Sequence, residues 1–256
     1  KTAIDLLTNI VLAPSLDINQ YSLEKEVVLE EIAQHKDQPD DQIMQCLLEN
    51  CWPMHAYGRS ILGLEDSLNK SQPESMRDFH ERQYKPENLA LSIVGYIPKD
   101  IEKIITNTDL TTSKKVSKER LPLENLIKPD FQPGRKEIEV SRLESARITM
   151  AWELPPAKNQ QFLMGADIAT SILAEGRRSR LVHHLREELQ IVESIDMGIS
   201  VLEQGSLFLL EACCEEQNLS KVENEIHSIF IDCIKNPSLP KEVERAKQLV
   251  RNSICF

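Results

Sequence analysis

The sequence has no apolar run near the ~18 residues that a membrane-spanning helix requires, and its first residues do not form a signal peptide. We therefore expect no membrane span. Glycine is scarce, with 8 residues in 256, and this scarcity favours long helices joined by few tight turns. Hydrophobic residues make up 41% of the chain, which excludes collagen-like and disordered classes and is enough to form a buried core.

Several other features are missing. The six cysteines match neither zinc-ribbon nor disulfide spacing, so we expect free, buried thiols and favour the cytoplasm, with the periplasm or an organelle matrix as alternatives. The glycine-rich phosphate-binding patterns G-x-x-x-x-G-K and G-x-G-x-x-G do not occur, so the sequence gives no support for nucleotide binding. A net charge of −11 argues against nucleic acid as a partner. The first residue is not methionine, and we expect an excerpt of a longer polypeptide.

A proline-rich, non-periodic stretch divides the chain into two predicted domains. Residues 116–135 contain Pro122, Pro129, Pro133 and Gly134 and are predicted to be a linker. The first predicted domain is 1–115, with its N-terminal part missing, and the second is 136–256, with its C-terminal part missing. The predicted helices are at 4–12, 22–38, 40–51, 73–84, 101–106, 160–174, 179–189, 219–235 and from 240 onwards.

Strands are predicted at 89–97, 137–140, 146–154, 195–202 and 206–214, and a turn at 203–205 makes the last two a hairpin. Both halves place a strand before a helix, which hints at an internal duplication. The predicted class is therefore α+β, with two related domains, each a mainly antiparallel sheet with helices on one face.

Two carboxylates in the helix predicted at 22–38 share one face. Glu24 and Glu31 are seven residues apart and differ by only about 20° around the helix. Val27 and Val28 flank them, whereas Glu30 falls on the opposite face. A buried carboxylate requires an arginine, another cation or a metal, because unpaired burial is unfavourable. The alternative is an ordinary charged surface helix without a special role.

The segment that carries the two glutamates, together with five later segments, resembles the insulinase/pitrilysin family, the inverzincin zinc metallopeptidases that include the mitochondrial processing peptidases. The resemblance extends over nearly the whole chain in the right order. The residues that carry it are L-E-K-E-V-V-L-E-E-I at 23–32, P-D-D at 39–41, H-A-Y-G-R-S-I-L-G at 55–63, Y-K-P-E-N-L at 84–89, G-R-R-S-R-L at 176–181 and L-R-E at 185–187.

The resemblance implies zinc-assisted hydrolysis of a peptide enclosed between the two domains, as in a clamshell. In the family, two histidines and a glutamate base come from an H-x-x-E-H helix, and a later glutamate is the third zinc ligand. Glu31 matches that ligand, and Glu24 matches an accessory glutamate that holds the zinc ligands in place. No H-x-x-E-H occurs in these 256 residues, and we expect it upstream.

The second domain departs from the family pattern at one position. Substrate-binding members carry an arginine and, seven residues later, a tyrosine; Arg186 matches the arginine, but Glu193 stands in place of the tyrosine. The resemblance therefore implies the zinc-bearing chain of a two-chain endopeptidase, paired with a family member as a homo- or heterodimer. The alternative is a non-catalytic member that serves as a structural or substrate-holding partner.

Three other features have a plain structural interpretation beside a functional one. His184 and Glu187 form an H-x-x-E fragment, but a glutamate stands in place of the second histidine, so we do not expect a metal there. His55 is expected to have a structural role in a loop rather than to line a substrate cleft. The basic cluster that follows Gly176 either binds an anion or substrate carboxylates or serves helix capping and surface solvation; it comprises Arg177, Arg178 and Arg180.

Overall fold

A computed structural model describes residues 2–108, 127–140 and 143–255. The chain divides into two compact units, one of Lys1–His35 with Ile61–Asn125 and the other of Lys36–Ser60 with Leu126–Phe256. Helices and an antiparallel sheet are both present, so the α+β class is confirmed. Residues 116–126 of the predicted linker lie outside the described part. The domain boundaries at 115 and 136 and the clamshell arrangement stay predictions.

Helices account for most of the regular structure. Pro39, Pro73 and Pro240 each begin a helix, where the missing N–H costs no hydrogen bond. The α-helices in chain order are α1 (Thr2–Leu12), α2 (Ile18–Asp37), α3 (Pro39–Cys51), α4 (Glu65–Lys70), α5 (Pro73–Gln83), α6 (Ile101–Thr106), α7 (Gln160–Ala174), α8 (Leu219–Lys235) and α9 (Pro240–Cys255).

The predicted strands at 89–97 and 137–140 are wrong for the described part of the chain. A strand requires a neighbouring strand for its hydrogen bonds, and the described residues offer none to either segment. Val94 and Tyr96 are 94% and 99% exposed. The hint of an internal duplication depended on the strand at 89–97, so the structure gives it no support.

The sheet lies in the C-terminal unit and has the strand order β1-β3-β2. Its strands are β1 (Ala146–Leu154), β2 (Ser194–Ser200) and β3 (Ser206–Cys214), and both pairings are antiparallel. Ala146 lies opposite Cys214, and Ser194 lies opposite Cys213. The predicted hairpin is confirmed, because β2 and β3 are neighbours joined by the short segment 201–205.

The central strand β3 is buried on both faces. Leu210 lies in the main core with Val222 and Ile226 of α8, whereas Leu207 lies in a second cluster with Cys51 and Trp52. Successive side chains of a strand point to opposite faces, so these two leucines mark the two sides of the sheet. The segment after α3 therefore covers the face opposite α8.

Trp52 is the centre of that second cluster and is 1% exposed. Its ring packs edge-on against Tyr57 at a centroid distance of 5.4 Å, and the Tyr57 hydroxyl accepts a hydrogen bond from the N–H of Gln204 at 3.1 Å. The Gln132 N–H also donates to the Cys51 carbonyl at 2.9 Å. The segment 51–60 is thus fastened to the β2–β3 hairpin.

Substitution of Gly58 should destabilise this unit. A Cβ at position 58 would lie 2.3 Å from the carbonyl oxygen of Trp52, which is a backbone atom and cannot move away alone. We expect Gly58→Ala to lower the free energy of unfolding by about 1–3 kcal/mol, as overpacking does in well-packed cores. Urea unfolding would measure the loss. Gly134→Ala is the matched control, because a Cβ there meets nothing within 4 Å; equal stability of the two variants would contradict the argument.

Candidate functional site

The helix α2 carries the two glutamates of the predicted zinc site and is fixed at several points. The Asp17 carboxylate accepts hydrogen bonds from the first N–H groups of the helix, including that of Asn19 at 2.9 Å. Further along, Lys25 donates to the Asn69 carbonyl at 2.8 Å, and Tyr21 is hydrogen-bonded to the Ser71 hydroxyl. These contacts hold α2 against the segment that joins α4 to α5.

Glu24 and Glu31 both lie on α2 with exposed side chains, and neither side chain has a hydrogen bond or an ion pair to another described residue. Val27 beside them is 42% exposed and Val28 is half-buried, so the predicted apolar stripe is accessible to solvent in this structure. The helical rise separates the two glutamates by about 10 Å along the axis. They therefore occupy successive positions on one face and do not form a pair around a single point.

The residues present fit a zinc site only in part. Zinc in a catalytic site takes three protein ligands and keeps one open position. Within residues 2–108, 127–140 and 143–255, no group of three or more histidine, cysteine, aspartate or glutamate side chains is arranged to hold a metal. The Glu31 carboxylate is available as one ligand. The assignment of Glu31 and Glu24 stays a prediction.

Arg186, the predicted substrate-binding residue, lies on a π-helical segment at Val182–Glu188. The wider turn is visible in the hydrogen bond from the Leu189 N–H to the His184 carbonyl, five residues back, at 2.9 Å. Val182 and Leu185 anchor the segment in the main core, whereas the Arg186 side chain is exposed. The guanidinium group is thus accessible on a segment that is anchored in the core, and its role stays a prediction.

Glu193, which stands where the resemblance implies a tyrosine, is part of a polar network at the end of β3. Its carboxylate accepts a hydrogen bond from the Ser145 hydroxyl at 2.6 Å and one from the Cys213 thiol at 3.3 Å. These two bonds, with the charge of Arg147, hold the pKa of Glu193 below its ordinary value. Burial and then Glu193 raise the pKa of Cys213, which keeps the thiol protonated.

Arg147 extends this network to α3. One of its terminal nitrogens donates to the Cys213 sulfur at 2.6 Å, and its Nε lies 3.3 Å from the Asp40 carboxylate. The Glu193 carboxylate is therefore committed to internal partners. A tyrosine hydroxyl can donate a hydrogen bond, but an ionised carboxylate only accepts, so Glu193 cannot replace a donor to a substrate oxygen.

The basic cluster that follows Gly176 is mostly neutralised. Arg177 pairs with Glu187 at 3.0 Å, and Arg180 makes a two-point contact with Glu242 at 3.1 and 3.0 Å. The hydrogen bond from Arg180 lowers the pKa of Glu242. Ion pairing therefore accounts for two of the three arginines and argues against anion binding by them, and Arg180, 18% exposed, does not fit the expected surface solvation.

His55 has a structural role, as expected. Its Nδ1 accepts a hydrogen bond from the Tyr57 N–H at 3.2 Å, and its Nε2 lies 3.0 Å from the Ile127 carbonyl oxygen, to which it donates. Both ring nitrogens are engaged in the loop and are not directed at a cleft.

Sequence reasoning missed an acidic pocket formed by α7, β2 and α9. It has a volume of about 230 Å³, and three carboxylates, two from α7 and its C-terminal end and one from β2, line it together with small hydroxyl side chains. Burial, and then the charge of Glu175, raise the pKa of Asp167. No local motif predicts such a cluster; the acidic lining residues are Asp167, Glu175 and Asp196.

The sequence comparisons point to one peptidase family. The family model described as "Peptidase M16 inactive domain" matches residues 70–250. A curated relative, an uncharacterized zinc protease from Rickettsia felis, is 24% identical over 254 residues, which cover 99% of this chain and 60% of the relative. This chain therefore spans about 60% of the length of curated relatives that it matches.

Solved structures show the same fold. A protease from Helicobacter pylori superposes with a TM-score of 0.81 at 16% identity, covering 99% of this chain and 62% of that one. A chain of complex III2 from Candida albicans superposes with a TM-score of 0.75 at 14% identity, covering 98% and 61%. No helix in the described part of the chain is long and apolar enough to cross a membrane.

The Arg180–Glu242 pair should contribute measurably to stability. The Arg180 and Glu242 side chains are 18% and 26% exposed, so removal of the guanidinium leaves a poorly solvated carboxylate. We expect Arg180→Gln to lower the free energy of unfolding by about 1–3 kcal/mol at pH 7. The depressed pKa of Glu242 means that its contribution is present above its unfolded pKa and is lost as pH falls through the folded value.

Thermal unfolding at pH 7 and at acidic pH would measure the Arg180→Gln effect, and the gap between variant and wild type should narrow in acid. Arg177→Gln is the matched control, because Glu187 is about as exposed as Glu242 but the Arg177 side chain is 82% exposed, against 18% for Arg180, so water screens its contact and can replace it. The argument is wrong if the two variants lose the same stability.

Proposed function

The chain belongs to the M16 peptidase family, and from this membership we propose that it is part of a zinc-dependent endopeptidase, as the zinc-bearing chain of a two-chain enzyme. The observation that carries the proposal is Glu31 on α2, an exposed carboxylate without an internal partner among the described residues. The printed name of the Rickettsia felis relative, a zinc protease, agrees with a zinc-dependent function.

In this proposal Glu31 is one of three zinc ligands, and Glu24 supports the ligand set from the same helix face. The two histidines and the general base belong to an H-x-x-E-H segment that these 256 residues do not contain. When bound, zinc lowers the pKa of a coordinated water and polarises a peptide carbonyl. Contacts in the N-terminal half of α2 and the buried Ile32 hold the helix that presents Glu31, and this presentation is the contribution of this chain to the proposed metal site.

The substrate in this proposal is a peptide or an unfolded segment. Arg186 is exposed on the π-helical segment, and a guanidinium group can donate several hydrogen bonds to backbone carbonyl oxygens. Glu193 is committed to Ser145 and Cys213 and accepts rather than donates. The donor that the resemblance implies at this position is therefore lacking, and we assign it to a sister chain.

A second candidate function is that of a non-catalytic partner subunit. Two observations favour it: the matching family model is described as an inactive domain, and the same fold occurs in a chain of complex III2 from Candida albicans. In that case the chain holds a substrate or stabilises an assembly, and Glu31 does not bind a metal.

Zinc content separates the two candidates. In the full-length polypeptide purified with its native metal, we expect about one zinc per chain, and we expect Glu31→Gln to remove most of it because a neutral amide is a poor zinc ligand. Elemental analysis by mass spectrometry would measure the metal. Glu30→Gln is the matched control, since it removes the neighbouring charge from the opposite face of the same helix. Glu24→Gln should weaken zinc binding less than Glu31→Gln does.

Loss of zinc in both Glu31→Gln and Glu30→Gln would indicate general damage to α2 and would contradict the specific assignment. A full-length wild type without zinc would favour the non-catalytic candidate. Circular dichroism on each variant would show whether the helices remain folded.

The two-chain arrangement makes a separate prediction. Hydrolysis of an unfolded reporter peptide should be slow with this protein alone and should rise at least about tenfold when a family member that carries the tyrosine is added, because the missing donor is then supplied. A fluorogenic peptide assay with each chain alone and with the mixture would measure this. Full activity of the single chain would overturn the two-chain proposal but not the zinc assignment.

A further inference from the structure

His184 is held between two carboxylates that come from different helices. Its Nε2 lies 2.9 Å from the Glu225 carboxylate of α8, and its Nδ1 lies 3.0 Å from the Glu188 carboxylate of its own π-helical segment. The ring is about one-third exposed. Both nitrogens of one imidazole therefore face hydrogen-bond acceptors at good distances.

Only the protonated ring can satisfy this arrangement. A neutral imidazole has one N–H and one lone pair, so one of its nitrogens would face a carboxylate oxygen as acceptor against acceptor. An imidazolium donates from both nitrogens. We propose that protonated His184 is a pH-sensitive clamp that fastens the π-helical segment to α8 and releases one of the two carboxylates when it loses its proton.

The charged surroundings agree with this proposal. The groups that face the ring are Glu188 on its own segment and Glu225 on α8, and the neighbouring His183 lies 3.4 Å from the other Glu188 oxygen. Glu187 on the same segment is engaged by Arg177. The two carboxylates stand at opposite nitrogens of one ring, so they do not converge on a point where a metal could bind.

The direction of the pH effect follows from the same contacts. Hydrogen bonds from Glu225 and then Glu188 raise the pKa of His184, and burial opposes them only partly. A histidine with a raised folded pKa contributes stability that is fully present below its unfolded pKa and is lost as pH rises through the folded value. The clamp is therefore closed in mild acid and opens above the ordinary histidine value of about 6.5.

The clamp has a consequence for Arg186, two residues further along the same segment. The His184 contacts tie the π-helical segment, which also carries Arg186, to α8. Release of one carboxylate loosens the segment that presents the Arg186 guanidinium. This consequence for substrate binding rests on the proposed function, whereas the clamp itself does not.

Nuclear magnetic resonance on the intact chain tests the clamp without any assay of activity. The side-chain ¹⁵N shifts of His184 should show both nitrogens protonated in mild acid, with a midpoint above 6.5. Over the same pH range, amide exchange in 182–188, corrected for its intrinsic pH dependence, should accelerate about tenfold, the factor that corresponds to one charge-assisted hydrogen bond.

Charge-matched variants make the test specific. Glu225→Gln should move the His184 midpoint toward its ordinary value and speed exchange in the π-helical segment in acid, and Glu188→Gln should do the same from the other side. Glu216→Gln removes an equal charge from an exposed position and should leave both measurements unchanged. A His184 midpoint at or below 6.5, or exchange that does not follow that midpoint, would overturn the proposal, whether or not the protein binds zinc.

Discussion

The requirement to bury β3 on both faces determines how the C-terminal unit is built. A central strand with apolar side chains on each side needs two covering layers, and on the Leu210 side α8 and the π-helical segment supply one of them. The other side is covered by residues that precede β3 by about 150 positions, around Trp52. This long-range packing makes 36–60 part of the C-terminal unit, although the chain passes through 61–125 before it returns.

The same constraint brings the polar network together. Since α3 lies against the sheet, Asp40 at its first turn reaches Arg147 on β1, and Arg147 in turn reaches Cys213 on β3. Glu193 completes the network just before β2. Glu193, which stands where the resemblance implies a substrate-binding tyrosine, is therefore held in place by the packing of the sheet. Its charge and partners are those of a structural link between β3 and the strand beside it.

Local patterns predicted the fold where local interactions decide it. The strands at 146–154 and 206–214 and the helices at 160–174 and 219–235 were predictable because hydrophobic periodicity and turn residues act within a few positions. The segment 89–97 has the composition of a strand, but composition does not supply a hydrogen-bonding partner. Trp52 is a single aromatic residue in an irregular segment, and nothing near it in sequence indicates that it covers a strand 150 positions away. The His184–Glu225 contact and the acidic pocket of Asp167 could not be predicted from the sequence either, because each brings together residues from separate elements.

The candidate zinc ligand and the clamp illustrate two kinds of site. Glu31 is identified by resemblance, and its exposed carboxylate on α2 is compatible both with a metal ligand and with an ordinary solvated side chain. His184 is identified by geometry alone, and its two acceptors demand a specific protonation state. Family membership indicates the fold and suggests zinc-dependent peptide hydrolysis as the reaction to test. A physical argument about protonation, in contrast, depends only on contacts within the chain and holds whether the family member is a peptidase or a partner of one.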